Sequence, residues 1–287
     1  MKAYIFPGQG SQFIGMGKDI YSNSSIAKKL FKYADEILGF NMTKIMLEGS
    51  IKIMNNTKYT QLAIFIYSVI KSKILTNFDP DMVAGHSLGE ISALTAINVL
   101  SFEDGLRLVN KRGSIMQDIC TSYSGGMLAI FGLQDSIVEK ICKKDPGIVV
   151  PSNYNSPEQI VISGEIHALM RVSNLIKQLK GSKILTLPIN GAFHSPIMEY
   201  GKKKLTKVIN KINFKYSRCP IYQNINASPV IQSLEIKHNL IEQLTSPVKW
   251  KQSIINMINH GAVKFFEIGP KNILQGLLKN ILKNYLI

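Results

Sequence analysis

Residues 82–90 read MVAGHSLGE, and this stretch restricts the fold more than any other in the chain. Its small and apolar start reads as a short buried strand. Gly85, Ser87 and Gly89 then mark a sharp turn, and LGEISALTAINVL continues as a helix. A serine on such an elbow needs glycine on both sides, because side chains there would clash in the strained turn. The helix that follows points a positive dipole end at the place where an oxyanion would develop. The elbow therefore asks for an α/β architecture and makes Ser87 a candidate nucleophile. The competing reading is a serine that only caps a helix.

The flanking segments agree with the first reading. KAYIFPG is an expected strand ending at Pro7, and IAKKLFKYADEIL and YTQLAIFIYSVIKSKIL are expected helices. SFEDGLRLVNKRGSIMQDI is another, with Ser101 as its N-cap and Asp104 three residues on. Strands alternating with helices indicate a parallel sheet covered by helices. The middle of the chain has a different rhythm. GGMLAIFGL, GIVVPSNYN, EQIVISGE and SKILTLPIN read as strands, with DSIVEKICKK and HALMRVSNLIKQLK as helices between them and a turn at Ser156-Pro157. The order βαββαβ is that of a ferredoxin-like unit. The expected organisation is a discontinuous large domain, 1–123 and 192–287, interrupted by a small subdomain at 124–191. PIYQN and VKFFEIGP supply further strands of the large domain.

Composition narrows the class. Of 287 residues, 45% are hydrophobic and 18% charged, which suits a globular core. LAIFIYSVI is about half a membrane span, and MKAYIFPGQG is too short for a signal peptide's apolar region. Three cysteines, widely spaced and in no metal-ligand pattern, fit a reducing compartment. The expectation is a cytoplasmic protein with neither membrane nor metal. The net charge of +15 comes mostly from scattered lysines and could steer an acidic partner, or reflect coding bias alone. No nucleic-acid motif and no aromatic-basic interleaving accompany it, so no nucleic-acid role is expected.

A serine nucleophile needs a base. His86 adjoins Ser87, but a tight turn points neighbours apart. His167 opens an amphipathic helix, and His238 and His260 lie among polar helix residues. His194 sits in GAFHSP, where Ser195 can cap and Pro196 can occupy the first helical turn, so its loop is held rigidly. It stands apart from the other candidates, with the base and an ordinary loop histidine as equal readings. No acid between Ser87 and His194 stands out as a third member, since Asp104, Asp118, Asp135 and Asp145 read as caps or exposed positions. That departs from the Ser, Asp, His order of a standard α/β-hydrolase.

Arg112 bears on the substrate. Leu108, Ile115, Met116 and Ile119 share its side of the helix, whereas Arg107 and Lys111 point elsewhere. An arginine in an apolar stripe is costly unless paired, and no acid lies at the matching spacing. It is either a snorkelling or structurally paired side chain, or a planar fork for a ligand carboxylate.

IFPGQGSQ, GHSLGE, KRGSIMQ, NYNSP, GAFHSP, QLTSPVKW and FEIGP occur in that order along the chain. In order and spacing they resemble the malonyl-CoA:acyl carrier protein transacylases, over essentially the whole sequence. The resemblance implies an α/β-hydrolase-like large domain with an inserted ferredoxin-like βαββαβ subdomain. It implies that Ser87 takes the malonyl group, that His194 is the base, and that the amides of Gln9 and Leu88 form the oxyanion hole. Arg112 would bind the malonyl carboxylate, and Gln243 would orient His194 through its main-chain carbonyl, which accounts for the missing acid. Asn153 and Asn155 match a stretch near the family's site. Phe193 precedes His194 as in malonyl-type relatives, where methylmalonyl-type relatives tend to carry a smaller residue. Asn190 stands where many members have serine. The implied partners are malonyl-CoA as substrate and acyl carrier protein as acceptor, with no cofactor. An acyltransferase of a polyketide pathway, a serine thioester hydrolase and a non-catalytic carrier-binding protein are the rival readings.

Overall fold

A computed structural model describes residues 1–285. Nine strands form two sheets: β1 (Lys2–Phe6), β2 (Met82–Gly85), β3 (Gly125–Phe131), β4 (Val149–Ser156), β5 (Gln159–Glu165), β6 (Lys183–Thr186), β7 (Ile221–Tyr222), β8 (Pro229–Val230) and β9 (Lys264–Glu267). The large sheet has the order β8-β7-β2-β1-β9. Its pairs are parallel except β7 with β8. Strands of a parallel sheet are covered on both faces, and alternate side chains of β1 and β2 show it. Ala3, Ile5, Met82 and Ala84 pack with Trp250, Ile254 and Leu278, while Tyr4, Phe6 and Val83 join the larger core on the opposite face.

The helix Thr57–Ile74 runs through that larger core. Its apolar run from Leu62 to Ile70 is buried at every position, so it is a core helix. No helix among the described residues is long and apolar enough to cross a membrane. Beside it the helix Phe102–Ser122 starts where Ser101 Oγ accepts the Asp104 N–H at 2.9 Å, as the capping pattern anticipates.

The second sheet has the order β4-β5-β3-β6, all antiparallel. With the helices Asp135–Lys144 and Ile166–Lys177 it makes the expected βαββαβ unit. Leu128, Ile130, Ile160 and Ile162 face those helices and form a core of their own. Met127, Ala129 and Val161 point the other way, into the large core. One strand face thus holds the small unit together and the other presents its side chains to the rest of the protein.

Several elements differ from expectation. β6 ends at Thr186, short of the run to Asn190: Leu187 still donates its N–H to Met127 O at 3.1 Å, but Pro188 has no N–H with which to continue the ladder. The helix after the elbow stops at Ala96, and Asn98 turns the chain at a φ of 64°. The short helices Lys18–Asn23, Met42–Glu48 and Ile51–Met54 carry too few turns to show a period in the sequence. Ser195 stands at the N-cap position before Pro196, yet its hydroxyl does not cap: it donates to Ala192 O at 2.6 Å. That bond ties the loop back on itself instead.

Candidate active site

The parallel strands deliver their carboxyl ends to one place, the usual position of a site in an open α/β sheet. β1 leads into Gly8 and Gln9, β2 into His86 and Ser87, and β7 into Gln223 and Asn224. Ser87 has φ 53° and ψ −106°, a backbone that non-glycine residues rarely adopt. The glycines are there because of contact. A Cβ at Gly85 would lie 2.0 Å from Gly89 C, one at Gly89 would lie 2.0 Å from Phe6 O, and one at Gly8 would lie 2.5 Å from His86 O. β1 and the elbow can pack this closely only without side chains.

Ser87 Oγ lies 2.8 Å from His194 Nε2. The other ring nitrogen, Nδ1, donates to the main-chain carbonyls of Gln243 at 2.9 Å and Ser246 at 3.1 Å. Those bonds fix the tautomer, leaving a lone pair on Nε2 for the serine proton. His194 is 3% exposed and itself has a φ of 58°. Burial, and then the charge of Arg112, push its pKa down to about 3. It is neutral at physiological pH.

Arg112 is 2% exposed. Nη1 donates to Gln61 Oε1 at 2.8 Å, and Nη2 to Ser87 Oγ at 2.9 Å and Gln243 Oε1 at 3.2 Å. All three acceptors are neutral. Among the described residues no carboxylate comes within ion-pair distance of the guanidinium. The side chain neither snorkels to solvent nor forms an ion pair, and burial, opposed by the charge of the buried Glu90, lowers its pKa to about 10. A buried cation held only by neutral oxygens is poised for an anion.

Ser87, His194, Arg112 and Gln61 line a cavity of about 240 Å³. Its walls include Met116, Met127, Val161, Leu187, Ile189 and Phe193, so the inward face of the small unit closes the pocket. Gln9 and Leu88 also line it. Their amides find no acceptor among the described residues, as befits the open first turn of a helix and a loop beside it. Asn155 Oδ1 meets His86 Nε2 at 2.8 Å, and the His86 ring packs on Trp250 with centroids 5.6 Å apart. His86 is thereby turned away from Ser87. Asn153 also lines the cavity, and its strand is tied down on either side: Tyr154 N–H donates to Val248 O, and Val248 N–H to Ser152 O. Asp104 is part of its helix cap, and Asp135 and Asp145 pair with Lys251 and Arg171 at the surface, so none of them reaches the site.

The structure therefore brings Ser87, His194, Arg112 and Gln243 into one hydrogen-bonded cluster, with Gln9, Leu88, Phe193, Asn153 and Asn155 around the same cavity. It adds Gln61, Glu90, Asn224 and Ser246, which sequence reasoning missed. Two of these left a signal. Glu90 is the sole charged residue of the helix Leu88–Ala96, and Asn224 lies two residues past a short parallel strand. Among the described residues no group of three or more His, Cys, Asp or Glu side chains is placed to hold a metal.

Residues 3–285 match a family model described as an acyl transferase domain. A malonyl CoA-acyl carrier protein transacylase of Bacillus subtilis is 38% identical over 284 residues, spanning 97% of this chain and 90% of the relative. One of Staphylococcus aureus is 37% identical over 97% of this chain and 92% of its own length. The crystal structure of an acyl carrier protein S-malonyltransferase of Vibrio cholerae superposes with a TM-score of 0.94 at 34% identity, covering 98% of this chain and 94% of that one. A structure of a type II PKS acyl-carrier protein in complex with its malonyl-transacylase superposes equally well, with a TM-score of 0.94 at 34% identity over 98% and 93% of the two chains.

Proposed function

The chain belongs to the acyl transferase family, and on that premise we propose that it carries a malonyl group from malonyl-CoA to the phosphopantetheine thiol of acyl carrier protein. The product supplies extender units for fatty-acid synthesis. One observation carries the reading beyond the family: Arg112 donates to Ser87 Oγ itself, so a nucleophile and a buried cation with no ion-pair partner among the described residues share one small cavity. A hydrolase of simple thioesters has no use for that cation. An acyl donor bearing its own carboxylate does.

The transfer runs in two balanced halves. His194 Nε2 takes the proton of Ser87 Oγ as the oxygen attacks the thioester carbonyl carbon. The carbonyl oxygen becomes an oxyanion facing the free amides of Gln9 and Leu88. The tetrahedral intermediate collapses, the carbon–sulfur bond breaks, and the CoA sulfur leaves with the proton from Nε2. In the second half the carrier thiol gives its proton to Nε2 and attacks the malonyl ester. Ser87 Oγ departs and recovers that proton. The carbonyls of Gln243 and Ser246 hold the imidazole throughout, in the place an acid would occupy. None of these steps requires a metal or a tightly held cofactor.

The substrate also helps the base. Arg112 is the second cause, after burial, of the low His194 pKa. A malonyl carboxylate paired with the guanidinium cancels that charge and raises the basicity of Nε2 at the moment it is needed. Within this reading Phe193, Met127 and Val161 shape the acyl side of the cavity. Asn155 fixes His86 beside the elbow, and Asn153 anchors its strand next to it. The division into 1–123 with 192–287, and an insert at 124–191, belongs to the same proposal, supported by a second sheet whose strands all fall between Gly125 and Thr186. A cytoplasmic workplace is supported by the three free cysteines.

Intact mass after mixing with malonyl-CoA tests the function. The expected result is a stable gain of one malonyl group on the wild type, none on Ser87→Ala, and its discharge on adding carrier protein. An adduct that water removes as fast without the carrier would make the enzyme a thioester hydrolase. No adduct at all would leave only carrier binding.

A further inference from the structure

Beneath the site lies a buried carboxylate that the transfer steps do not use. Glu90 sits in the first turn of the helix Leu88–Ala96 and is 0% exposed. Its Oε2 accepts the main-chain N–H of Asn224 at 2.8 Å, and Oε1 accepts Gln223 Nε2–H at 2.9 Å. Asn224 then spends its whole side chain on the elbow. Nδ2 donates to Gly85 O at 2.6 Å, while Oδ1 accepts from Ser87 N at 2.8 Å and Gln243 Nε2 at 3.3 Å. Gln243 Nε2 also donates to Ser87 O at 3.0 Å. The same glutamine's main-chain carbonyl holds His194, and its side-chain oxygen meets Arg112.

A backbone such as that of Ser87 costs ~1–3 kcal/mol and persists only where its surroundings over-determine it. Here the side chains of Asn224 and Gln243 bond Gly85 O, Ser87 N and Ser87 O, beside the main-chain bond from Glu90 N–H to Ser87 O at 3.1 Å. Asn224 is in turn held by Glu90, which belongs to the helix that the elbow begins. The chemistry requires a carboxylate. Two N–H donors converge on it, and Gln223 cannot turn its amide over, because its Oε1 accepts Asn239 Nδ2–H at 2.9 Å and its Nε2 also donates to Ile236 O at 3.1 Å. A glutamine at position 90 would turn a donor toward one of the two donors.

We propose that Glu90 is a positioning residue for acyl transfer: acting through Asn224 and Gln243, it keeps Ser87 Oγ aligned with His194 Nε2. The inference rests on the reading of Ser87 and His194 as nucleophile and base. It does not depend on which acyl donor they serve.

The test compares wild type, Glu90→Gln and Asn224→Ser in the rate at which a small fluorophosphonate probe labels Ser87, read by intact mass. Steady-state malonyl transfer is measured alongside. A misplacement of about 1 Å costs about 10²-fold in rate. Both variants should therefore label about 10²-fold more slowly, yet to completion, with a KM for malonyl-CoA close to wild type because Arg112 is untouched. A role in folding alone predicts the opposite pattern: incomplete labelling, with the reactive fraction proceeding at the wild-type rate. That pattern, or an unchanged rate in a folded variant, overturns the proposal. Should Glu90→Gln not fold, Asn224→Ser decides by the same criteria, since it removes the elbow bonds and leaves Glu90 its main-chain partner. A wild type that reacts with the probe but not with malonyl-CoA would refute the substrate assignment while leaving this comparison intact.

Discussion

Replacing Arg112 with alanine separates substrate reading from scaffolding. The guanidinium is buried, and its acceptors are Gln61 Oε1, Gln243 Oε1 and Ser87 Oγ, none of them charged. The cost of burying the cation is thus offset in full only when a ligand carboxylate arrives. Removing one member of a desolvated, hydrogen-bonded charge pair costs ~2–5 kcal/mol. At ~1.4 kcal/mol per factor of ten, malonyl transfer should fall by roughly 30- to several-thousand-fold. Acetyl-CoA brings no carboxylate, so the wild type should reject it, leaving Arg112 unpaired. The variant should accept acetyl-CoA as well as wild type or better. The variant also removes the second cause of the low His194 pKa. His194 stays neutral down to about 3 in the wild type, so acidification from pH 7 to pH 5 should not protonate it. In Arg112→Ala the imidazole pKa rises, while burial, the larger cause, still holds it down. The assay is quench-flow acylation of Ser87 with each thioester across that range. Unchanged malonyl transfer would refute the reasoning. Equal loss of both reactions in a folded variant would show that Arg112 only braces Gln61 and Gln243.

Two further outcomes follow from the same geometry. His194→Ala should slow Ser87 acylation by about 10²–10⁴-fold, the usual worth of a general base; near-normal burst acylation would remove His194 from the mechanism. If the surplus of positive charge, +15 overall, steers an acidic carrier, the carrier half-reaction at subsaturating concentration should be more salt-sensitive than acylation by malonyl-CoA. Screening shortens the field to about 8 Å at physiological ionic strength, and equal or smaller sensitivity would favour coding bias as the origin of the lysines.

The elements that local chemistry controls were legible in the sequence. A serine between glycines after an apolar strand dictates the elbow, because only that residue pattern tolerates contacts of 2.0 Å at the Cβ positions of Gly85 and Gly89. Strict order along the chain was enough to expect the βαββαβ insert, and helical spacing was enough to put Arg112 on an apolar face. Pairing across the fold was not legible. The acceptors of Arg112 come from positions 61, 87 and 243, and those of His194 from 243 and 246. The carboxylate that steadies the elbow reads in sequence as an ordinary first-turn acid. Hydrophobic period and turn chemistry act over a few neighbouring residues, so a linear reading recovers them. Which neutral oxygen meets a buried cation, and which carbonyl replaces a missing acid, depends on segments 25 to 131 residues apart. Only the assembled fold brings those segments within hydrogen-bond reach.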